Sequence, residues 1–448
     1  MLALGKTFAQ PRRSDSSTSH VIITRPRPIS VAMSALAVKA SSCLAFLLCM
    51  VCLGRLHFYR DPGSIFFDHK RAYETHYSLH RRAEAQEVIS SYTNATNESL
   101  AKSPGSNKSL CIAISSVKRQ TQYVQLLPRQ TTIGSLLHGL TEQERADLHI
   151  SVLIAETDPT RHPAWQQEWI REAVDDVFTY EVDAKQMKHL QHLEETAHYS
   201  EKGVHDYLYA LERCYDTGAP YIGMFEDDIL LARGWMVRTL RGVQEISSSQ
   251  QPWLFMRLFN QERSIGWASR EIGGNHEHWI IIGVGLVISV PILLARRRWR
   301  FARKHLDPGT LLVVVVILIP GLVVLFYQSG KASMLPPSPG VFNEPFGCCS
   351  QAMVFPRVEV PQVIKFLGEK KEGQVDLLLD EVALSSGLQR HALYPVQAQH
   401  IGIESARKTA KTEAQAIWSM AFEDLDPEML KYDHRRMLES YHSWNNKL

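Results

Sequence analysis

Three consecutive acidic residues, Glu226, Asp227 and Asp228, follow a short apolar run at 221–225. A run of this kind predicts a buried strand, and ligands of open α/β sheets bind beyond the carboxyl ends of strands. Carboxylates at positions i and i+2 of an extended chain point the same way, so Glu226 and Asp228 can hold one divalent cation. Such a cation can neutralise the diphosphate leaving group of a nucleotide sugar. A solvated acidic turn is the alternative interpretation of the triplet.

Three further polar residues are candidates for the same site. His400 ends another apolar stretch, and its neutral imidazole could complete the metal site. Arg119 follows the first predicted strand and Lys202 precedes a predicted helix, so both could contact phosphate groups. Each of the two could equally be an ordinary surface cation.

Two further pairs of aspartates have regular spacing. Asp376 and Asp380 lie four residues apart on one face of a predicted helix, and either could deprotonate an acceptor hydroxyl, although Asp376 could merely cap that helix. Asp424 and Asp426 repeat the spacing of Glu226 and Asp228, but Pro427 follows them and no strand precedes them. We therefore interpret Asp426 as a helix N-cap and predict no chemistry there.

The chain has 448 residues, with 49 basic and 47 acidic side chains, and this balance argues against a nucleic-acid-binding protein. Three uncharged apolar runs, of 15, 17 and 17 residues, occupy 40–54, 279–295 and 311–327. A helix of 17 residues is about 26 Å long, which suits the thin bilayers of the early secretory pathway. We predict an N-terminal membrane anchor and a two-helix transmembrane hairpin.

Basic residues set the predicted topology. They are enriched before the first span and between the second and third, so both regions should face the cytosol. Three glycosylation sequons, at Asn94, Asn97 and Asn107, agree with a lumenal location for the segment after the first span. The predicted organisation is a cytosolic tail (1–39), a transmembrane anchor (40–56), a glycosylated lumenal stem (57–109), the first half of the main domain (110–278), a transmembrane helix (279–295), a basic cytosolic loop (296–310), a second transmembrane helix of the hairpin (311–327) and the second half of the main domain (328–448).

Four cysteines lie outside the first span, namely Cys111, Cys214, Cys348 and Cys349. An even number in an oxidising compartment predicts two disulfides, for which three connectivities exist. A bridge between the adjacent Cys348 and Cys349 would be strained. We therefore predict that each of these two joins one of Cys111 and Cys214.

Apolar runs at 110–115, 148–155 and 221–225 alternate with helical patterns. Strands that alternate with helices imply right-handed crossovers and a mainly parallel sheet. The fold class is therefore α/β. The hairpin interrupts this fold, so the two flanking halves should form a single split domain.

Several segments carry a resemblance to a known family. They are Ile114–Arg119, Asp206–Cys214, the strand into Glu226–Asp228, and Gln399–Gly402 with Ser405. They resemble GT-A glycosyltransferases, most specifically the Golgi post-GPI-attachment GalNAc transferase family, whose GT-A domain is split by a transmembrane hairpin. N-acetylglucosaminyltransferase IV is similar in the same segments but lacks the hairpin.

The resemblance implies a UDP-sugar donor, Mn²⁺ held at the acidic triplet, a GPI-anchored acceptor and a Golgi membrane location with the catalytic domain in the lumen. On this basis Asp206 joins Arg119 and Lys202 as a candidate donor-binding residue, and Asp227 joins the two helical aspartates as a candidate catalytic residue. No residue in the sequence identifies the sugar. An N-glycan branching N-acetylglucosaminyltransferase and a catalytically inactive membrane scaffold on the same fold are the alternatives.

Overall fold

The computed structural model describes residues 29–93, 108–118, 131–261, 276–329, 338–344, 347–402 and 417–445. Arg119, Ser405 and the three sequon asparagines lie outside these residues. The chain divides into two compact units. One contains the chain up to Cys49 together with Ile281–Leu322, and the other contains Met50–Ile280 together with Val323–Leu448.

The described residues form ten strands and fifteen helices, short 3-10 turns aside. The strands are β1 (Leu110–Ser116), β2 (Leu148–Ile154), β3 (Asp176–Phe178), β4 (Tyr221–Glu226), β5 (Ile229–Leu231), β6 (Trp253–Arg257), β7 (Gly340–Asn343), β8 (Ala352–Pro356), β9 (Gln389–Tyr394) and β10 (Ala398–His400). The helices are α1 (Ile29–His57), α2 (Tyr77–Thr93), α3 (131–137), α4 (Glu142–Asp147), α5 (Glu168–Ala173), α6 (Ala184–Glu195), α7 (Tyr199–Asp216), α8 (Trp235–Ser248), α9 (Glu277–Arg298), α10 (Arg300–His305), α11 (Pro308–Ser329), α12 (Val360–Lys370), α13 (Val375–Ser386), α14 (Met420–Glu423) and α15 (Pro427–Asn445).

The main sheet has eight strands in the order β3-β2-β1-β4-β8-β6-β9-β7. The first four run parallel, which confirms the predicted mainly parallel α/β fold. Beyond β4, the strand β8 pairs antiparallel with both β4 and β6. Because β8 follows the hairpin in sequence while β4 and β6 precede it, both halves of the chain build one sheet.

Alternating side chains of the strands supply two cores, one on each face of the sheet. On β1, Leu110, Ile112 and Ile114 belong to one buried cluster, whereas Cys111 and Ala113 belong to the other. This period of two is the signature of a strand covered on both faces. Helix α7 covers the face that contains Cys111.

The predicted disulfide connectivity is wrong. Cys111 is bonded to Cys214, and Cys348 is bonded to its neighbour Cys349. Cys111 faces α7 from β1, and its Cα lies 5.6 Å from that of Cys214, within the range that a disulfide spans. The strand and the helix that covers it therefore form the first bridge, and neither disulfide links the two halves across the hairpin.

Helix α2 lies in the predicted stem, but it packs into the second unit. Arg81 is fully buried and donates hydrogen bonds to the carbonyl oxygens of Leu231 (2.6 Å) and Ser135 (2.6 Å). At the first turn of α2, the backbone N–H of Ser78 donates to the carboxylate of Glu423 (3.1 Å), which lies near the other end of the chain. The described part of the stem is therefore part of the folded unit.

Among the described residues, three helices are long and apolar enough to cross a membrane, as predicted: Ala35–His57, Glu277–Arg298 and Pro308–Ser329. Within the membrane unit, Lys39 forms an ion pair with Asp307 (2.5 Å), which joins the beginning of the first span to that of the third. A Cβ atom at Gly321 would lie 2.6 Å from a Leu47 methyl carbon. This glycine therefore lets the first and third spans pack closely.

Candidate metal and nucleotide-sugar site

The acidic triplet lies where the sheet changes from parallel to antiparallel neighbours. Glu226 is the last residue of β4, and β5 begins three residues after it, at Ile229. Strand β10 pairs antiparallel with β5 and places His400 opposite Ile229. The backbone N–H of Ile401 also donates to the carbonyl oxygen of Asp228 (2.8 Å). This short second sheet is what joins a histidine distant in sequence to the triplet.

Glu226, Asp228 and His400 form one group whose potential ligand atoms all lie within 4.8 Å of one another. Asp228 is buried, and its Oδ2 atom lies 3.4 Å from Nε2 of His400. A Cβ atom on Gly402 would lie 2.0 Å from Oδ2 of Asp228 and 2.9 Å from Nε2 of His400. The space beside the two ligands thus requires a glycine, which sequence reasoning did not identify as part of the site.

Glu226 is oriented from the second half of the chain. Its Oε1 atom accepts a hydrogen bond from the hydroxyl of Ser350 (2.9 Å), and its backbone N–H donates to the carbonyl oxygen of Gln351 (2.9 Å). Ser350 was not predicted as a site residue. The available signal was its position just before the short apolar run at 352–355, which predicts a strand, since a hydroxyl there can reach the end of a neighbouring strand.

The side chain of Asp227 points away from Glu226 and Asp228, toward the end of β1. Its Oδ2 atom accepts a hydrogen bond from the hydroxyl of Ser116 (2.6 Å), and that hydroxyl lies 3.2 Å from Nε2 of buried His162. Nδ1 of His162 accepts from the backbone N–H of Ala164, so Nε2 carries the proton of the neutral ring. Asp227 is therefore tied to the end of β1 and does not belong to the metal-ligating group. Its catalytic role stays a prediction.

The donor set of the group suits a divalent cation. Carboxylate oxygens and an imidazole nitrogen are both common ligands of divalent metals, and the carboxylates at i and i+2 face the same side, as predicted. The clash expected for any side chain at Gly402 shows that the backbone approaches the ligand atoms closely. The residues present therefore fit a bound metal.

The family follows from a comparison with known families. The model of the family described as GPI-N-acetylgalactosamine transferase PGAP4 matches residues 110–397. The chain belongs to this family. The match contains Glu226 and Asp228 and ends three residues before His400. No curated protein matches the chain.

The PGAP4 match makes this chain a glycosyltransferase and confirms the predicted resemblance. It also covers Lys202 and Asp206, the two predicted donor-binding residues that the structure describes. Both are buried beside the carboxyl ends of β2 and β3. Nζ of Lys202 donates to Oδ2 of Asp206 (2.9 Å), the hydroxyl of Tyr180 (2.8 Å) and the carbonyl oxygen of Ala155 (2.8 Å).

These three contacts use all three protons of the Lys202 ammonium group. Oδ1 of Asp206 accepts from the hydroxyl of Tyr180 (2.5 Å), and burial, followed by the Asp206 charge, raises the pKa of Tyr180 well above its usual value. A phosphate could reach Lys202 only by displacing one of these partners. The donor-binding role of both residues in this PGAP4-family chain stays a prediction.

Asp380, a predicted catalytic residue, lies between two arginines. Its Oδ1 atom is 3.3 Å from Nη2 of Arg257 and 3.1 Å from Nη1 of Arg390. Arg257 is fully buried and also donates to Glu344 (3.2 Å) and to the carbonyl oxygen of Cys349 (3.3 Å). This arginine therefore connects Asp380 to the turn that precedes Ser350.

Asp376, the other predicted base, lies one helical turn before Asp380 and accepts a hydrogen bond from the backbone N–H of Leu377 (3.0 Å). The structure places it in the first turn of α13, where acidic residues stabilise a helix N-terminus.

Tyr207 has a buried hydroxyl group near Glu226, and the sequence analysis did not predict it as a site residue. Burial raises the pKa of this hydroxyl, and the charge of Glu226 raises it further. Among the described residues the hydroxyl has no hydrogen-bond partner. It is therefore available to a ligand group that approaches Glu226.

Proposed function

We propose that this protein transfers N-acetylgalactosamine from UDP-N-acetylgalactosamine to the glycan of GPI-anchored proteins. The match to the PGAP4 family over residues 110–397 carries the proposal, because it covers most of the split sheet and two of the three potential metal ligands. The alternatives, an N-glycan branching enzyme and an inactive scaffold, differ from it in acceptor and in turnover.

In this proposal Glu226, Asp228 and His400 would hold a divalent cation, Mn²⁺, and the bound cation would supply positive charge to neutralise the diphosphate leaving group. Ser350 keeps the Glu226 carboxylate in position through its hydrogen bond. The Tyr207 hydroxyl, buried and near Glu226, is suited to donate a hydrogen bond to the donor sugar or its diphosphate. The uridine-binding residues are not assigned.

The acceptor hydroxyl must lose a proton, and Asp376 and Asp380 are the proposed acceptors of that proton. Asp380 forms ion pairs with Arg257 and Arg390, whereas Asp376 lies at the start of the same helix. Asp380→Asn and Asp376→Asn, assayed side by side with an unfolding measurement, will separate catalysis from stability. A base is required for turnover, whereas a residue that only forms ion pairs mainly affects the melting temperature.

The position of the hairpin in the sequence supports a membrane-attached acceptor. The hairpin separates β6 from β7, and both strands pair with β9 in one sheet. A catalytic domain tied to the membrane on both sides of an insertion has little freedom to rotate, which raises its effective concentration toward an acceptor in the same bilayer. We place this enzyme in the Golgi membrane with residues 57–278 and 328–448 in the lumen.

The test is a transfer assay with the purified full chain in nanodiscs. The donors are UDP-N-acetylgalactosamine, UDP-N-acetylglucosamine and UDP-galactose, and the acceptors are a GPI-anchored protein in the same nanodisc and a soluble N-glycan. We expect transfer of N-acetylgalactosamine to the GPI-anchored protein, loss of activity with EDTA and recovery with Mn²⁺. Preferred transfer to the N-glycan, or no turnover of any donor, contradicts the proposal.

A further inference from the structure

The segment that follows the first membrane span is folded against the ends of two spanning helices. We call residues 58–67 the juxtamembrane segment. The ring of Phe66 packs on the last turns of α1, where a Cβ atom on Gly54 would lie 2.5 Å from Cε2 of Phe66. The backbone N–H of Ile65 donates to the carbonyl oxygen of Gln328 (2.9 Å), in the last turn of α11.

The juxtamembrane segment is also held by its own hydrogen bonds. The backbone N–H of Gly63 donates to the carboxylate of Asp61 (2.8 Å), and the backbone N–H of Ser64 donates to the carbonyl oxygen of Asp61 (2.9 Å). The carbonyl oxygen of Tyr59 accepts a hydrogen bond from the backbone N–H of Asp68 (2.9 Å), which closes the loop. In this ordered loop the Asp61 and Ser64 side chains are buried, whereas the apolar side chain of Ile65 is 62% exposed.

The position of Ile65 indicates that the membrane surface contacts its exposed side chain. Gln328 belongs to a helix that is apolar enough to cross a membrane, and Ile65 is hydrogen-bonded to the final turn of that helix. When that helix spans a bilayer, its final turn lies where the chain leaves the hydrocarbon core, and Ile65 lies beside this turn. At this depth the headgroup region of the bilayer accepts apolar and aromatic side chains.

Aromatic residues mark the same ends of all three spans. Tyr59 follows the first span, Trp279 begins the second and Tyr327 ends the third. Because consecutive spans run in opposite directions, these three ends share one membrane surface. Tyrosine and tryptophan concentrate at such surfaces, since their rings are apolar and their polar atoms reach water. The guanidinium of Arg71 lies 4.1 Å from the centre of the Tyr59 ring, beside this surface.

We propose that the juxtamembrane segment inserts into the headgroup region of the bilayer, with Ile65 facing lipid, and so fixes the height of the catalytic unit above the membrane. The partner is the lipid surface itself. The insertion does not depend on which sugar the enzyme transfers, whereas its consequence for activity rests on the proposed membrane-attached acceptor.

The test compares two exposed apolar residues. Leu79 on α2 is 58% exposed, nearly the same as Ile65, but it lies in the helix that packs into the sheet domain. In full chains whose free cysteines Cys43, Cys49 and Cys52 are replaced by alanine, spin labels are attached to Ile65→Cys or Leu79→Cys. The labelled proteins are reconstituted in phosphatidylcholine nanodiscs, and collision rates with oxygen and with a water-soluble nickel chelate are measured.

We expect the label at position 65 to collide preferentially with oxygen, which concentrates in lipid, and the label at 79 with the nickel chelate. Equal preference for the nickel chelate at both positions overturns the proposal. Retained donor hydrolysis by the labelled proteins shows that they are folded. If they hydrolyse no donor, circular dichroism and retention of the Cys111–Cys214 disulfide replace this control.

A second measurement tests the consequence for activity. Ile65→Glu should lower transfer to an acceptor in the nanodisc severalfold and leave transfer to a detached soluble glycan unchanged, while Leu79→Glu should change neither. Equal rates for Ile65→Glu and the unmodified chain on the membrane acceptor refute the height-fixing role. If the unmodified chain transfers sugar to neither acceptor, the proposed function fails, and the collision data still decide the insertion.

Discussion

Two groups of ionisable side chains lie at the same edge of the sheet, yet their partners differ. Glu226, Asp228 and His400, at the end of β4, bring two acids and an imidazole together. Lys202 and Asp206, beside the ends of β2 and β3, form a buried ion pair. We call the first the metal group and the second the lysine group.

The difference shows that one edge of the sheet can hold both a group suited to bind a ligand and a group that only stabilises the fold. In the lysine group a fixed cation neutralises the acid, so that the group is complete without a ligand. In the metal group two carboxylates are held close together, and Glu226 accepts a hydrogen bond from the neutral Ser350 hydroxyl. Such an arrangement is costly unless a cation binds.

The largest effect should come from Asp228→Asn, which keeps the shape of the side chain but removes its charge. Loss of a metal ligand removes stabilisation of the leaving diphosphate, and we expect kcat/KM to fall roughly 1000-fold, or about 4 kcal/mol. The melting temperature should stay the same or rise, because two like charges are no longer adjacent. Transfer assays and thermal unfolding in detergent measure both quantities.

Asp426→Asn is the matched control for this substitution. Asp426 has the same spacing from Asp424 as Asp228 from Glu226, but its side chain accepts from the backbone N–H of Met429 (2.7 Å) at the start of α15. Asparagine caps helices as well as aspartate does, so activity and stability should be near those of the unmodified chain. Full activity of Asp228→Asn with Mn²⁺ would sink the metal assignment.

The lysine group should respond in the opposite way. Lys202→Met leaves Asp206 buried without its cation, and breaking a buried pair from one side costs about 3 kcal/mol or more of unfolding free energy. Below its lowered melting temperature, the variant should keep most of its activity. Lys188→Met, at an exposed position on α6, is the control and should change stability by less than about 0.5 kcal/mol. A stable but inactive Lys202→Met would instead support the predicted phosphate contact.

A third prediction concerns Glu344, which forms an ion pair with Arg257, one of the two arginines that contact Asp380. Burial raises the pKa of Glu344 from 4.5 to about 7, although Arg257 opposes the shift. The folded chain therefore binds this proton more tightly than the unfolded chain, and the resulting stabilisation is present below about pH 4.5 and lost as the pH rises through 7.

Glu344→Gln should remove this pH dependence. The loss of unfolding free energy between pH 5 and pH 8 should become smaller by an amount on the order of 2 kcal/mol. Melting temperatures of the full chain between pH 5 and pH 8 measure it, with the exposed Glu142→Gln as control. A profile with the same slope in Glu344→Gln would show that other groups cause the pH dependence.

The parallel sheet and the metal group could be predicted because local patterns determine them. A buried strand that ends in Glu226 must present alternate carboxylates at the edge of the sheet. The apolar stretch before His400 indicated a second strand end. Three uncharged runs sufficed for the membrane spans, because length and composition decide whether a helix can cross a bilayer.

The rest depended on partners that are distant in sequence. The pairing of Lys202 with Asp206 depends on how closely α7 packs against the sheet, which local patterns do not give. The Cys111–Cys214 bridge likewise requires knowing that α7 covers the face of β1 that bears Cys111. Helix α2 was interpreted as a stem because its polar composition hides the buried contacts of Arg81.

The smallest effect should come from Ser350→Ala, which removes the hydrogen bond to Glu226 and leaves all metal ligands in place. A hydrogen bond to a charged group contributes about 1.5 kcal/mol, so the Mn²⁺ concentration for half-maximal activity should rise roughly tenfold. The maximal rate at saturating Mn²⁺ should change little, because the ligands themselves are intact. Ser350→Thr keeps the hydroxyl and should restore the metal affinity, whereas Ser385→Ala on α13 should have no effect on it. If Ser350→Ala lowers the maximal rate without altering the Mn²⁺ requirement, Ser350 contacts the substrate instead of positioning Glu226, and the metal group is organised by β4, β5 and β10 alone.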